Sequence, residues 1–579
     1  MIAIEELNVL SPAAFVEALD GIFEHSPWVA ERTCAARPFG SRLQLLEALC
    51  ASMWAADAAS QLALIRAHPE LAGRAAIRKE LTAASGREQQ GAGLDSCSPE
   101  EFRQLHELNA AYREKFQFPF ILAVRGHNPG SIIRDMQARL DNDLESERRM
   151  ALTQIGRIGG FRLAERVSSP FGAETMAMLE HLASFSEHEH ALTCSFLTGA
   201  HRQTAECIRD WMLAAGLDTH IDAIGNVVGR MRSNLEHAKT LVTGSHYDTV
   251  IDGGRYDGRL GIVIPIVVAT ALRLSGQSLP FDLEIVAFAD EEGVRFKSTF
   301  LGSSALAGSF DMSLLDQTDA AGVTMRQALI AAGLEPEAIP RLARSPQNLL
   351  GFIEVHIEQG PVLLEENRPL GVVSGIAGSV RYAVSVIGQA GHAGTVPMNL
   401  RHDAAAAAAE IVLAVERLCS TTPGLVGTVG KLEVPNGAIN VIPGRCDLTI
   451  DLRAPDNALR DAAFANVMRE IEQISTRRSV RIDVRKMMQA SAVPCSHRMQ
   501  AHWSRAIRHV TGDSDVRVLP SGAGHDAMKM AEITDVGMLF VRCGNGGISH
   551  HPDETMTEAD AHIAALAFEN FLLSFGTDA

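Results

Sequence analysis

Paired cysteines and a secretory signal are both missing from this chain of 579 residues. The nine cysteines are scattered, and no two of them form a Cys-x-x-Cys pair. The start of the chain lacks the basic segment followed by an apolar segment that marks a signal peptide. Scattered cysteines without such a signal are typical of reduced thiols in a cytoplasmic protein. We therefore expect a cytoplasmic location and no disulfide framework.

An excess of positive charge and a long apolar run are missing as well. The formal net charge is -18, whereas nucleic-acid-binding proteins need a basic surface. The longest apolar stretch, at residues 262–272, is interrupted by Pro265 and Thr270. It is shorter than the roughly 18 residues that span a bilayer, so it predicts a buried helix. We expect neither a nucleic-acid partner nor a membrane partner.

The spacing of apolar residues along the chain changes near residue 167. Before it, leucines recur at helical spacing between residues 43 and 49 and again near 102–108, which predicts an all-α domain at 1–167. From residue 173 onward, strands alternate with helices, which indicates an α/β domain built from 173–378 and 494–579. The alternation of Tyr382, Val384 and Val386 begins a smaller stretch. We expect that stretch, 379–493, to be an inserted α+β domain, and we expect 168–172 to be a linker.

Histidine and carboxylate motifs recur through the α/β region, at the ends of predicted strands. Imidazole nitrogen and carboxylate oxygen suit divalent ions such as zinc and manganese. A shared carboxylate can bridge two such ions, which together polarise a carbonyl and activate a water. The motifs contain His246, Asp248, Asp257, Glu291, Glu292, His356 and His550. These residue types supply histidines, a bridging acid, a further acid and a free general base.

Each motif taken alone has an ordinary structural explanation. A single His-x-Asp sequence such as that at His246 is weak evidence for a metal ion, and adjacent acids usually mark a solvated turn. Glu291 and Glu292, however, follow an apolar strand, where solvated acids are less expected. Five such motifs in order, each beside glycines, favour a two-cation hydrolase over coincidence.

The order and the residues of these motifs resemble those of the allantoate amidohydrolase, N-carbamoyl-amino-acid amidohydrolase and β-ureidopropionase group of the two-metal aminoacylase/carboxypeptidase clan. The resemblance extends over about residues 175–577 and implies two divalent ions, zinc or manganese. It implies His246, Asp257 and His356 as ligands of one ion, and Asp257, Glu292 and His550 as ligands of the other. It also implies that Asp248 orients His246 and that Glu291 is the general base. The Ser-His-x-Pro spacing of the family selects His550 rather than the adjacent His551.

Further segments extend the resemblance into the inserted domain, which the family uses as a lid and for dimerisation. The segment 391–398 matches the family's lid motif, and its His392 is expected to stabilise the oxyanion across a homodimer interface. Asn440 and Arg453 are expected to bind the ureido group and the carboxylate. Gln359 belongs to the family's His-Ile-Glu-Gln-Gly motif, and His525 lies in a matching loop as a candidate contact. The alternatives are a turn residue for His392 and a surface charge for Arg453.

The composition of the N-terminal region predicts a helical domain and nothing more specific. A histidine before a proline, as at His68, is ordinarily a residue at the end of a helix. The amino-acid sequence of this region, however, resembles the family of 2-oxo-4-hydroxy-4-carboxy-5-ureidoimidazoline (OHCU) decarboxylases in segments 24–30, 67–73, 85–89, 92–94 and 112–120. That family is all-α and needs no metal or organic cofactor. The resemblance implies His68 as the proton-handling group, with the ordinary imidazole pKa near 6.5 suiting this task. The residues that it implies around the substrate are Pro69, Ser85, Glu88, Gln89 and Ile121.

The two resemblances together predict a bifunctional enzyme of urate breakdown. It would convert OHCU to allantoin and hydrolyse allantoate to ureidoglycine, ammonia and CO₂, with small ureido acids as substrates. One alternative is hydrolysis of N-carbamoyl-L-amino acids or a β-ureidopropionase-like activity by the same machinery. Peptidase activity is a further alternative, because the clan includes exopeptidases, although the motif that contains His356 favours a substrate with a ureido group. A domain reduced to a non-catalytic binding module is the remaining alternative.

Overall fold

The computed structural model describes residues 2–72 and 82–575. Gly73, the last residue of the His68 motif, lies outside the described residues. The prediction of a helical N-terminal region followed by an α/β region is confirmed.

The N-terminal region is a helical bundle with its own apolar core. Several of its helices begin with a side-chain cap and a proline in the first turn, as at Ser98 and Asn128, which satisfies the free N–H groups there. The two-residue strand Ile2–Ala3 pairs in parallel with Val167–Ser168 and joins the two ends of the region. The helices are Ile4–Val9, Pro12–Ala18, Trp28–Thr33, Arg42–Trp54, Ala58–Ala67, Ala83–Gly91, Pro99–Phe116, Pro129–Arg139 and Leu144–Ala164.

A large mixed sheet forms the centre of the C-terminal region. Its members are Val493–Pro494, Leu370–Ile376, Val536–Val541, Leu349–Ile357, Thr240–His246, Asp282–Phe288, Val227–Met231 and Asp218–Ile221 in spatial order, with Val518–Ser521 beside Leu370–Ile376. The four central strands run parallel. Parallel strands are covered on both faces, and Thr240–His246 and Asp282–Phe288 are buried at every residue.

Helices cover this sheet, and the expected buried helix is among them. Leu260–Leu274 is the apolar stretch interrupted by Pro265, and nearly all of its residues are buried. The helices of this region are Phe171–Ala183, Gly199–Ala214, Leu260–Leu274, Leu301–Ala307, Met325–Ala331, Val362–Glu365, His497–Thr511, Ala527–Met530 and Glu558–Phe575. The helix Phe171–Ala183 packs on Glu558–Phe575 and Leu260–Leu274.

A second, antiparallel sheet, here called the small sheet, lies within Gly378–Ala490. Its strands are Gly378–Ile387, Val426–Thr428, Leu432–Glu433, Arg445–Ala454 and Arg481–Ala490. Side chains alternate along Arg445–Ala454, with every second residue buried, because one face packs against the helices Ala404–Thr421 and Asn457–Arg478. The other face is left open. A two-stranded hairpin, Gly391–His392 with Val441–Ile442, projects from this unit.

The helical region packs directly on the α/β region. Arg42 pairs with Glu174 at 2.9 Å, and Arg157 pairs with Asp210 at 2.7 Å. Leu213 of the α/β region contributes its side chain to the core of the helical region. The connection is shorter than the expected 168–172 linker, because Ser168 is in a strand and a helix begins at Phe171.

Within residues 2–72 and 82–575, no single helix is long and apolar enough to cross a membrane. The helices Arg42–Trp54 and Ala58–Ala67 pass the test of length and composition only as a pair that bends by 117°. Both contribute buried side chains to the N-terminal core.

Candidate metal centre and N-terminal cavity

Five histidine and acidic side chains converge at the carboxyl edge of the large sheet. His356 Nε2 lies 3.1 Å from Asp257 Oδ1, and His246 Nε2 lies 3.6 Å from the same oxygen. His550 Nε2 lies 3.0 Å from Asp257 Oδ2 and 3.2 Å from Glu292 Oε1. The carboxyl ends of parallel strands meet at one edge, which explains how residues so far apart in the sequence come together. Asp257 lies between the histidines.

The imidazoles are oriented with one nitrogen toward the site. His246 Nδ1 lies 3.1 Å from the carbonyl oxygen of Asp248, and His356 Nδ1 lies 2.8 Å from that of Ile357. A ring that donates through Nδ1–H keeps the Nε2 lone pair for a ligand. Asp257 Oδ1, which both Nε2 atoms face, is buried and has no hydrogen-bond donor within the described residues. These donors fit divalent cations.

Four sets of ligand atoms among the described residues are compact enough for one cation each, one of them made of Glu354, His356 and His525, and two of the four share Asp257. One of these two is His246, Asp257 and His356, and the other is Asp257, Glu292 and His550, with all atoms of a set within 4.8 Å of one another. The family resemblance implied the same two sets, and they share Asp257. Glu291 also falls in a third such set with His246 and Glu292.

Asp248 holds two parts of the site in place. Its carboxylate accepts the backbone N–H groups of Glu291 and Glu292, each at 3.1 Å. Its Oδ1 also lies 3.6 Å from His246 Nδ1. One buried carboxylate therefore positions both a histidine and the turn that carries the two adjacent acids.

Gly258 permits the close approach of His246. A Cβ at this position would lie 2.5 Å from the His246 ring, and the φ of Gly258 is +65°. Only glycine adopts this backbone without strain while leaving room for the ring. The glycine after Asp257 is therefore required by the close approach of the His246 ring.

The acids of the site differ in the direction of their pKa shifts. Burial, with the charge of Glu292 adding to it, raises the pKa of the Glu291 carboxyl well above its usual value. Burial also opposes the charge of Asp257, but the imidazoles of His246, His356 and His550 against its carboxylate hold its pKa well below the usual value. Hydrogen bonds to Asp257 and Glu292 raise the pKa of His550 to about 10. Negative charge is thus concentrated where the two ligand sets meet.

A cavity of about 380 Å³ opens over these ligands. Glu291, Gln359 and Arg453 all line it, as do residues of the open face of the small sheet. Gln359 Nε2 donates to Asp257 Oδ2 at 2.9 Å. His525 is buried against His356 with ring centroids 4.4 Å apart, and its Nε2 lies 2.7 Å from Ser521 Oγ. His525 therefore supports a ligand ring and does not line the cavity.

His392 and Asn440 lie apart from this cavity in the same chain. Both are exposed, and neither is among the residues that line it. They are neighbours on the projecting hairpin, where Ala393 N donates to the Asn440 carbonyl oxygen at 2.9 Å. Large apolar side chains beside them are also exposed, Met398 by 78% and Leu400 by 62%.

Glu554 is a buried acid that the sequence analysis did not single out. Its Oε1 accepts the backbone N–H groups of Tyr256 at 2.8 Å and Asp257 at 3.2 Å. Its Oε2 accepts the Ser549 hydroxyl at 2.9 Å. Glu554 therefore connects the loops that carry Asp257 and His550. Its place shortly after His550, in the same loop, was the available signal.

The six residues predicted around the decarboxylase substrate lie together in the helical region. One cavity is lined by all of them: His68, Pro69, Ser85, Glu88, Gln89 and Ile121. His68 directly follows the helix Ala58–Ala67, and Ser85, Glu88 and Gln89 lie on Ala83–Gly91. Apolar side chains such as Phe120 and Val124 complete the walls.

His68 is held as a neutral imidazole with one free nitrogen. Its Nδ1 lies 2.9 Å from the Leu64 carbonyl oxygen, so Nδ1 carries the proton. Its Nε2 is buried and has no hydrogen-bond partner within residues 2–72 and 82–575. The expectation of an ordinary imidazole pKa is wrong, because burial lowers the pKa of His68 to about 4. His68 is thus neutral at neutral pH, and its Nε2 lone pair faces no protein donor within the described residues.

Arg162 is a cavity residue that sequence reasoning missed. It is 3% exposed, and its guanidinium donates to Glu88 at 2.9 and 3.0 Å and to Glu24 at 2.7 Å. It also reaches Ser85 Oγ at 3.2 Å. Arg162 lies on the last helix of the region, Leu144–Ala164, outside the motifs around His68. Arg162 thereby fixes the position of Glu88, which lines the cavity, and of Glu24, which lies beside it in the fold.

Two family models match the chain, one for each region. Residues 8–164 match the model of OHCU decarboxylase, and residues 242–574 match that of peptidase family M20/M25/M40. The chain belongs to family M20/M25/M40. The resemblances drawn from the sequence motifs are confirmed for both regions.

Relatives of the M20 region narrow its chemistry. The chain is 41% identical over 437 residues to a protein of Oryza sativa subsp. japonica named probable allantoate deiminase, covering 70% of this chain and 89% of the relative. It is 38% identical over 368 residues to an N-carbamoyl-L-amino acid amidohydrolase of Geobacillus stearothermophilus, covering 64% and 89%. A solved amidase of the hydantoinase/carbamoylase family from Burkholderia multivorans superposes with a TM-score of 0.66 at 29% identity, covering 70% and 98%. The M20 chain is therefore an enzyme that joins an OHCU decarboxylase-family domain to a metal-dependent amidohydrolase.

Proposed function

We propose that the chain acts twice in urate breakdown. The N-terminal domain, at 1–167, decarboxylates OHCU to (S)-allantoin. The C-terminal domain hydrolyses allantoate to ureidoglycine, ammonia and CO₂. The observation that carries the proposal is the pairing on one chain of an OHCU decarboxylase match with relatives named allantoate deiminase. Fusion of these two activities is useful within one pathway.

In the C-terminal domain, the chain's own groups supply ligands, a base and substrate contacts. His246, Asp257 and His356 would hold one divalent cation, and Asp257, Glu292 and His550 the other, with zinc and manganese both fitting these donors. Bound cations would polarise the ureido carbonyl and lower the pKa of a water.

Glu291 is the general base of the proposed reaction. It lines the cavity beside both ligand sets and takes the proton of the attacking water, which it then delivers to the leaving nitrogen. Gln359 and Arg453 line the same cavity and bind the substrate. Asp248 fixes the position of His246 and of the turn that carries Glu291, through its contact with His246 Nδ1 and its hydrogen bond from the Glu291 backbone N–H.

In the N-terminal domain, His68 accepts a proton through its free Nε2. Loss of the C4 carboxylate as CO₂ sends the bonding electrons into the adjacent imine, which forms an enamine-like species. A proton from solvent neutralises the imine nitrogen, and His68 takes the proton of the C4 hydroxyl as the carbonyl forms and delivers it to C5 to give allantoin. Ser85, Glu88, Gln89 and Ile121 surround the substrate, and Pro69 shapes the wall beside His68.

The inserted domain, 379–493, acts as a lid and forms a homodimer. His392 and Asn440 lie outside the cavity of their own chain and next to exposed apolar side chains. Exposed apolar surface of this kind marks interfaces. In the dimer, His392 would stabilise the oxyanion in the partner's site, and Asn440 would bind the partner's substrate.

The second candidate for the C-terminal domain is N-carbamoyl-L-amino-acid hydrolysis. It is supported by the Geobacillus relative at 38% identity. Both substrates present a ureido group and a carboxylate, so the ligands and the base serve either one.

The experiment that decides between them measures ammonia release from allantoate and from N-carbamoyl amino acids. Protein stripped of metal by a chelator is expected to hydrolyse neither, and reloading with manganese or zinc is expected to restore allantoate hydrolysis. The same stripped protein is expected to decarboxylate OHCU at the full rate, which serves as the internal control. Restoration of turnover on carbamoyl amino acids alone would contradict the allantoate assignment.

The dimer is tested by mixing two inactive variants. Glu291→Gln removes the base from a site, whereas His392→Ala removes the group that this site receives from its partner. Dissociated and reassociated mixtures are expected to regain ammonia release, because a hybrid dimer contains one site with both residues intact. Each variant reassociated alone is the control. No regain of activity in a mixture that sediments as a dimer would place His392 in its own chain's site or outside catalysis.

A further inference from the structure

The open face of the small sheet presents two guanidinium groups to the cavity. Ser379 and Arg381 lie on the same face of one strand, and Asp451 and Arg453 lie on the same face of its neighbour. The register pairs Arg381 with Asp451 and Ser379 with Arg453. Ser379, Arg381 and Arg453 all line the cavity over the candidate cation ligands. Of these three residues, the family resemblance implies a substrate contact for Arg453 alone.

The two arginines differ in how many of their donors are already used. Arg453 donates from Nε and Nη2 to Asp451, each at 3.1 Å. Its Nη1 donates to the Gly522 carbonyl oxygen at 2.6 Å. All three nitrogens of Arg453 are therefore engaged by protein groups. Of the five N–H donors of its guanidinium, only one on Nη1 and one on Nη2 remain for a ligand.

Arg381 has a free outer edge. Only its Nε is engaged, by Asp451 Oδ2 at 2.9 Å, and within the described residues no acceptor lies at hydrogen-bond distance from its Nη1 or Nη2. Its side chain is 48% exposed, compared with 32% for Arg453. Two guanidiniums share the single carboxylate of Asp451, so this part of the cavity has an excess positive charge. The paired donors of Arg381 suit a planar group with oxygen acceptors.

We propose that Arg381 is a substrate-contacting residue that binds a planar oxygen group of the ureido acid through its free Nη1–Nη2 edge. That group is either the carboxylate or the carbonyl of the ureido group that does not react. The inference rests on the proposed function, since it takes a ureido acid as the ligand of this cavity. Arg453 holds Asp451 and the Gly522 loop in place and keeps two N–H groups for the substrate, and Asp451 in turn fixes Arg381.

The test uses Arg381→Gln with Arg445→Gln as a matched control. Arg445 lies on the same face of the same strand as Arg453, is 55% exposed and pairs with Asp447, but it does not line the cavity. For the full-length, cation-loaded protein, Arg381→Gln is expected to lower kcat/KM on allantoate at least tenfold. Arg445→Gln is expected to leave it unchanged, and Arg381→Lys is expected to recover part of the loss.

Two substrates separate the two oxygen groups. Equal loss on allantoate and on an N-carbamoyl-L-amino acid supports contact with the carboxylate, which both contain. Loss on allantoate alone supports contact with the second ureido group. Allantoate kcat/KM within about twofold of the parent protein for Arg381→Gln overturns the inference while leaving the proposed function intact.

A binding measurement keeps the inference testable apart from turnover. Calorimetric titration of N-carbamoylglycine and of allantoate into cation-loaded Glu291→Gln protein gives dissociation constants without hydrolysis. Addition of Arg381→Gln to this background is expected to weaken at least one of them tenfold. Equal affinities with and without Arg381, or no binding of either compound, overturn the inference. Failure of the proposed function is seen separately, as absent turnover by the parent protein.

Discussion

Replacement of Glu291 by glutamine is expected to reduce the kcat of ureido-acid hydrolysis by about a thousandfold, since a positioned general base typically contributes about 10²–10⁴. Glutamine keeps the size of the side chain but cannot accept the proton of the attacking water. Glu291 is 8% exposed and lines the cavity, so no bulk solvent group replaces it readily. Ammonia release from allantoate, measured in cation-loaded protein, reports the loss.

The cation content of the same variant distinguishes a base from a ligand. Glu291 is close enough to His246 and Glu292 to belong to a third ligand set. If it is the base, Glu291→Gln retains two cations per chain by elemental analysis, whereas Glu292→Gln loses one. Loss of a cation from Glu291→Gln would show that the carboxylate is a ligand, and the role of base would then need another residue.

Replacement of His68 by asparagine is expected to reduce OHCU decarboxylation by about a thousandfold, again the range for a positioned proton-transfer group. The variant removes the buried Nε2, which faces no protein partner within the described residues. Amidohydrolase activity should not change. His127→Asn is the matched control, because His127 is a half-buried histidine of the same region paired with Asp135 outside the cavity.

The pH profile of decarboxylation provides a second check on His68. Burial lowers the pKa of His68 to about 4, so its neutral form predominates at every pH above this value. If neutral His68 is the active form, kcat/KM stays level from pH 8 to about pH 5 and falls as the pH approaches 4. A rate that rises as the pH falls below 6.5 would instead mean that the protonated ring is required, and the proposed direction of proton transfer would be wrong.

The strand pattern predicts that several candidate cation ligands meet at one edge of the sheet, and the family resemblance then implies the role of each. His246 and His356 are placed near the ends of buried strands by local patterns alone, and Glu291 and Glu292 follow another such strand. Once these strands are recognised as parallel, their ends must share an edge. The helical character of the N-terminal region was equally accessible, since it depends on periodicity within single segments.

What the sequence could not supply depends on contacts between distant segments. The partners of Arg162 lie on two segments that are far from it in the sequence, residues 21–24 and the helix Ala83–Gly91, and no local pattern selects them. The lowered pKa of His68 depends on how completely the surrounding helices exclude water. The use of every Arg453 nitrogen by protein groups depends on the approach of the Gly522 loop, and only the folded chain brings the two together.

The five candidate cation ligands all lie outside Gly378–Ala490, whereas one whole wall of the cavity belongs to it. In the proposed mechanism, the cation ligands and the base therefore come from one part of the chain, and both substrate-binding arginines, Arg381 and Arg453, come from the insert. Mutation in the insert can change which ureido acid is accepted while the ligands and the base are inherited unchanged. Such a division allows one ancestral enzyme to give rise to enzymes with different substrate specificities through a few substitutions on a single face of the small sheet.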